Sequence, residues 1–326
     1  MPGPLRTSVS RRLFNVLGPF LGLLVVIGLF CLSPTIRPYF FSGANFKIIL
    51  TQTVIVAIGA LGMTLIIVSG GIELSMGSVV ALTSVVGAVM LDKGHAAGMA
   101  ILLTIAVGAL VGVINGFVIG ALRMMPFIVT LGMMGIARGV AKWLSGSQTV
   151  NAPESAVNNI MALNNPNQLW PLPMGVWIAI ALAIFVALIL RQTVFGRYIF
   201  AIGANEAAAR LSGIRIRLHK VLIYAFAGVF VGIAGLMQLS RLTQGDPTVA
   251  IGLELDIIAA VVIGGASLSG GSGSILGSMI GALIMATLRN GSNQMGWPTY
   301  MQEIIIGVVI IIAVAVDKLR QGTLRS

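Results

Sequence analysis

The chain has 326 residues, 57% of them hydrophobic and only 9% charged. A soluble domain carries about 25% charged residues, so there is too little polar side chain here to cover a water-facing globule, and a large soluble domain is excluded. The net charge of +11 comes without Lys/Arg runs interleaved with aromatics, so it reads as membrane topology and not as nucleic-acid binding.

Apolar runs of roughly 17–25 residues, enough to cross a bilayer as a helix, recur along the whole length. They predict an all-α polytopic membrane protein of about ten transmembrane helices. Residues 1–13 form a leading segment with Arg6, Arg11 and Arg12. Ser10-Arg11-Arg12-Leu13-Phe14 superficially matches a twin-arginine export signal. The apolar run that follows is long for a signal sequence, and no small-x-small cleavage pattern closes it. It is read as an uncleaved first span, about 14–33. Further spans fall at about 45–69, 75–91, 98–122, 127–145, 174–190, 221–240, 252–268, 275–289 and 303–317. They make one membrane domain, 14–317, with a tail at 318–326. The stretch 146–173, rich in Asn and Pro, is the longest polar segment without a positive charge; 191–220 is strongly basic.

Positive charge orients the chain. With the N-terminus in the cytoplasm, the inner segments hold Arg6, Arg11, Arg12, Arg123, Arg191, Arg197, Arg210, Arg215, Arg217, Lys220, Lys318, Arg320 and Arg325. The outer ones hold Arg37, Lys47, Lys93, Arg241 and Arg289, while Arg138 and Lys142 fall within a span. Both termini are then cytoplasmic. Cys31 is the only cysteine, so no intrachain disulfide exists; His95 and His219 lie far apart and suggest no metal site. No catalytic residue is identified. The nucleotide-binding pattern GxxxxGK[ST] is absent, so any ATP must be hydrolysed by another chain.

Within the basic stretch, Asn205 can cap a helix, Glu206 sits in its first turn, and Glu206 and Arg210 are spaced for an ion pair. Gly213 can close it in the left-handed conformation. The expectation is one capped helix of about two turns, too short to persist alone, which must dock on its own membrane domain or on another protein. The bland alternative is an ordinary cytoplasmic loop held inside by charge.

Two Gly-rich breaks resemble each other. Gly70-Gly71-Ile72-Glu73-Leu74-Ser75-Met76-Gly77-Ser78 and Gly264-Gly265-Ala266-Ser267-Leu268-Ser269-Gly270-Gly271-Ser272 both read GGxxLSxGS, and Gly87-Ala88 and Gly281-Ala282 follow at the same spacing. Such a match points to an internal repeat, common in transporters with broken helices. The acids Glu73, Glu254, Asp256 and Glu303 lie in apolar surroundings, where a charge is costly and needs protein, water or a partner. They fit either a structural role at helix breaks or a proton or cation relay, which would make the chain a secondary transporter. Asn115, deep in an apolar span, and Asn290 must be hydrogen-bonded if buried. With Phe127 and Thr130 they are candidate residues of a translocation path, with helix ties as the alternative for the amides.

In order and spacing these blocks resemble the permease subunit of bacterial ATP-binding-cassette sugar importers, in the ribose/xylose/galactose-type branch. The resemblance covers about 45–317 and rests on Ser69–Ser75, Gly112-x-x-Asn115-Gly116, Pro126–Gly132, Arg138-Gly139 and Gly196-Arg197. It continues through Ala201–Ala208, Leu211-Ser212-Gly213-Ile214 and Gly252-x-Glu254-Leu255-Asp256 to Gly264-Gly265. Glu73 stands where the family usually has Asp, and Ala204 where a second Gly is common. The resemblance implies a bacterial inner-membrane subunit working as a homodimer or heterodimer in lipid, with ATP-Mg on a partner cytosolic ATPase and a periplasmic sugar-binding protein. It implies that the loop 196–214, with Gly196, Arg197, Gly203, Asn205, Glu206, Ala207, Ala208, Arg210, Leu211, Ser212 and Gly213, couples to the ATPase. The binding protein is expected on 146–173 and on Gly245-Asp246-Pro247. A permease for amino acids or nucleosides remains the alternative within this class.

Overall fold

A computed structural model describes residues 4–163 and 171–322. In chain order the helices are α1 (Pro4–Cys31), α2 (Arg37–Phe40), α3 (Gly43–Val68), α4 (Met76–Asp92), α5 (Ala97–Ala121) and α6 (Pro126–Leu144). Then come strand β1 (Val150–Asn151), α7 (Met174–Gln192), α8 (Val194–Ala204), α9 (Glu206–Leu211), α10 (Ile216–Leu242) and strand β2 (Gln244–Gly245). The chain ends with α11 (Leu253–Ile263), α12 (Ile275–Gln294) and α13 (Thr299–Gly322). The fold is all-α but for the β1–β2 ribbon. Among the described residues, five helices, α3, α5, α6, α7 and α10, are long and apolar enough to cross a membrane.

Each predicted span has a helix, and the local signals explain most boundaries. Ser42 caps α3 by accepting from Asn45 N, and Ser274 caps α12 by accepting from Gly277 N. Pro126 opens α6 at a position where its missing N–H costs nothing. Two expectations need correction. The eighth span is not a full one: α11 has 11 residues, a rise of about 16 Å against a hydrocarbon thickness of about 30 Å. Gly264 and Gly265 end it. The basic stretch holds two helices instead of one, because α8 precedes α9. Its apolar residues Ile199 and Ile202 are buried, a face that the surrounding charges obscure in the sequence.

Helix α3 is apolar all round and sits at the centre, with every residue from Thr53 to Val68 buried. It packs against α7, α8, α10, α11 and α12. The tightest seam joins α5 to α10. Gly108, Gly112, Gly116 and Gly120 recur every fourth residue on one face of α5. A Cβ on Gly112 would stand 2.2 Å from the carbonyl oxygen of Tyr224, so only glycine lets the two backbones meet, as small residues do between membrane helices.

The two breaks close their helices identically but resume differently. Gly70 donates to Ile67 O and Gly71 to Ile66 O; Gly265 donates to Val262 O and Ala266 to Val261 O. Both are Schellman closures with a left-handed glycine, Gly70 at φ 81° and Gly265 at φ 91°. The structural register is therefore one residue off the sequence match, Gly70 facing Gly265. Helix α4 restarts at Met76, whereas a turn at Leu268-Ser269 and a bend at Gly270-Gly271 intervene and α12 waits until Ile275. Among the described residues, the likeness of the breaks is a likeness of helix ends.

Candidate functional site

Helix α9 is built by its own sequence. Asn205 Oδ1 accepts from Ala208 N at 3.0 Å. Gly213, at φ 84°, donates to Arg210 O and Ile214 to Ala209 O, the same closure as at the breaks. Glu206 takes Arg210 Nη2 at 2.9 Å and Lys220 Nζ at 2.7 Å. Partial burial pushes the Glu206 carboxyl up, but the hydrogen bonds and charges of Lys220 and Arg210 outweigh it and hold the group below its ordinary value. Ile202, Ala209 and Ile216 form a small apolar core that fixes α9 to α8 and to the start of α10. Arg197, Ala207, Ala208 and Ser212 are exposed, and Leu211 is 90% exposed at the end of α9. Gly196 sits at the tight α7–α8 corner, where a Cβ would stand 2.4 Å from Leu190 O.

The root of α9 touches both breaks. Gly203, in the last turn of α8, lies so close that a Cβ would stand 1.8 Å from Val68 O and 2.6 Å from Gly271 N. Gly271 N itself donates to Val68 O at 2.8 Å. The ends of α3, α8 and the loop after α11 thus meet backbone to backbone, with no side chain between them.

Just behind this junction lies a buried polar cluster. Glu73 is 5% exposed, and Ser75 and Asn115 are each 1% exposed. Glu73 Oε1 accepts from Ser75 N at 2.7 Å and from the Ser75 hydroxyl; Oε2 accepts from Asn115 Nδ2 at 2.8 Å. Tyr224 Oη and Thr130 Oγ1 each reach Ile72 O at 3.4 Å. The void beside the cluster is about 10 Å³, room for one water at most. Asn115 ties α5 to the first break. Its removal in Asn115→Ala leaves Glu73 Oε2 with no other donor; we expect a loss of about 1–3 kcal/mol of stability. Thermal unfolding in detergent, followed by size exclusion, reads it. A melting point equal to that of the unmutated chain would show that Asn115 holds nothing.

The other acids sit at the opposite end of α10, whose 27 residues extend about 40 Å. Asp256 Oδ2 takes both Arg289 Nε at 2.8 Å and Arg289 Nη2 at 2.6 Å, joining α11 to α12. Glu254 is half-buried above Gly77. Arg138 Nη1 donates to Pro247 O and Val249 O, both at 2.7 Å, and pins the loop after β2 to α6. That loop and the segment 146–163 form one surface. Val150 pairs with Gly245, Ala152 N donates to Thr243 O, and Met161 N to Ser240 Oγ. Residues 164–170 of the same predicted segment lie outside the described residues, as do the side chains of Arg6, Arg11 and Arg12.

Of the candidate path residues, Asn115 and Thr130 both reach the first break, at Glu73 and at Ile72 O, whereas Phe127 and Asn290 are not among the side chains that bond there. Thr130 is fully buried and Phe127 is 51% exposed on the outer face of α6. Asn290 Oδ1 accepts from Gln294 Nε2, which also donates to Asn45 Oδ1, so Asn290 helps to fasten α12 to α3. Sequence reasoning passed over Ser75, Tyr224, Gly271, Arg138 and Arg289 as site residues. A carboxylate in an apolar span demanded donors, but nothing in the spacing said which helix would supply them.

Residues 45–314 match the family described as branched-chain amino acid transport system / permease component. The chain is 40% identical over 299 residues to the ribose import permease protein RbsC of Escherichia coli K12, covering 92% of this chain and 93% of that protein. It is 38% identical over 302 residues to the RbsC of Bacillus subtilis 168, covering 93% and 92%. It is 33% identical over 301 residues to the fructose import permease protein FrcC of Rhizobium meliloti, covering 91% and 84%. No solved structure matches the chain.

Proposed function

The chain belongs to the branched-chain amino acid transport system / permease component family, and from that premise we propose that it is the membrane subunit of an ATP-driven importer of a monosaccharide. It is a transport subunit and not an enzyme. In this reading ATP-Mg is bound and hydrolysed by a cytosolic partner, and a periplasmic binding protein delivers the sugar. A second permease copy, identical or related, completes the path in a bacterial inner membrane, with both termini of this chain in the cytoplasm.

The observation that carries the reading is the junction at Gly203. Helix α9 presents an exposed, charged, leucine-tipped surface for an ATPase. Its root rests on both helix breaks, so a movement of the ATPase is delivered where the membrane helices can change course. The ribbon β1–β2, with the loop pinned by Arg138, supplies a joined surface at the far end for the binding protein. Glu73, with Ser75 and Asn115, fastens α4 and α5 to the first break. The family's description names branched-chain amino acids, whereas the relatives that cover nearly the whole chain are named as sugar permeases, and this favours sugar.

The test is reconstitution of the chain in vesicles with its ATPase and its binding protein, offering ribose, arabinose, fructose and leucine. ATP-dependent uptake of one monosaccharide is the expected result. Uptake of leucine alone would reassign the substrate class. Uptake of any of them by this chain without ATP and partners would replace the reading with a secondary transporter.

A further inference from the structure

A cavity of about 360 Å³ lies between α3, α10, α11, α12 and α13, at the end of the molecule away from α9. Its volume is within the range of about 300–1,000 Å³ typical of small-molecule sites. Its walls mix aliphatic side chains with hydrogen-bonding ones, among them Gln52, Gln238, Arg241, Asp256 and Arg289. Gln238 is 5% exposed, lines the cavity and makes no hydrogen bond among the described residues. Gln52 Oε1 and Asp256 Oδ1 are enclosed without a donor. Both Arg289 contacts fall on the other oxygen of Asp256, although an arginine–carboxylate pair usually engages both. A buried acceptor left unmade costs about 1–3 kcal/mol, so these groups want a partner that donates.

That requirement selects the ligand. The enclosed atoms without partners in the wall are acceptors, which favours a solute rich in hydroxyl donors. The formal charges are Asp256, Arg289 and Arg241, which leaves no deep single-sign field for a highly charged ion. The aliphatic walls suit the C–H faces of a small ring. We propose that this cavity is a solute site within the permease chain itself, one per protomer, that binds a neutral polyhydroxylated molecule of monosaccharide size through Gln52, Gln238 and Asp256. The proposal rests on the importer reading and deepens it: the sugar has a resting place in this chain after it leaves the binding protein.

The test uses the full chain in lipid nanodiscs, with Cys31→Ser and Thr299→Cys placing a single thiol in the cavity wall. Its labelling by a small methanethiosulfonate reagent is followed with ribose, arabinose or fructose added, against leucine as control. Occupancy should slow labelling about fivefold when sugar is about four times its Kd. Adding Gln238→Leu should remove the protection without changing the rate in the absence of sugar. Labelling that no monosaccharide slows, or protection that survives Gln238→Leu combined with Gln52→Leu, would overturn the site. The importer reading fails separately, by loss of ATP-driven sugar uptake from the unmutated chain with its partners.

Discussion

Changing Glu206 and Ala208 together to arginine is expected to abolish capture of the ATPase while leaving the membrane domain inserted and folded. The argument turns on two magnitudes. Glu206 pairs with both Arg210 and Lys220, and surface pairs of this kind contribute about 0–1 kcal/mol each, so losing both cannot unfold the chain. At an interface the same change acts differently. It places two new cations beside Arg210 and Lys220 on a surface that a partner must cover. Like charges brought together at an interface cost several kcal/mol, which is about a hundredfold or more in affinity. Co-purification in mild detergent reads the result, and the elution volume of the permease reports its fold. Capture at the level of the unmutated chain would remove α9 from the docking surface. The Glu206 contacts also set a pH dependence. Its folded pKa lies below the ordinary glutamate value of about 4.3. Its contribution is therefore complete above that value and disappears as pH falls through the depressed one, so association should hold through neutral and mildly acidic pH.

Local signals were readable and distant ones were not. Asn205, Glu206, Arg210 and Gly213 lie within one short helix, and cap, first turn, ion pair and closing glycine all follow from neighbours along the chain. The ends of α3 and α11 were marked by paired glycines for the same reason. Helix α8 was missed because its buried face has its partners elsewhere, Ile202 in α9 and α10 and Ile199 in the main core, not in its own periodicity. The length of α11 was overestimated because its hydrophobicity continues through Gly264-Gly265-Ala266 past the point where the backbone turns. Asn115 was left between a path residue and a helix tie, and the choice needed the position of Glu73, which sits on another element. The Asp256–Arg289 pair and the Arg138 contacts have the same character: each residue type implies a partner, but the fold decides which.

Gly203→Ala is expected to uncouple the machine without dismantling it. The methyl group would stand 1.8 Å from Val68 O and 2.6 Å from Gly271 N. Both obstacles are backbone atoms, held by the closures at Gly70 and Gly265, so no side chain can rotate away. The root of α9 must instead move off the breaks by more than about 1 Å, and overpacking of this kind costs about 1–3 kcal/mol. That is too little to unfold a bundle centred on α3, and the exposed face of α9, with Glu206, Ala208 and Leu211, is untouched. The ATPase should therefore still bind. What is lost is the rigid contact through which its movement reaches α3 and the loop after α11. Sugar uptake per ATP hydrolysed in reconstituted vesicles should fall by roughly tenfold, about 1.4 kcal/mol of lost coupling. Gly43→Ala is the control, because nothing lies within 4 Å of its added methyl. Unchanged uptake per ATP in Gly203→Ala would mean that the junction is a packing contact and that coupling runs by another route. Loss of ATPase capture in the same variant would mean that α9 cannot shift without losing its docking surface, which would place docking and transmission in one rigid unit.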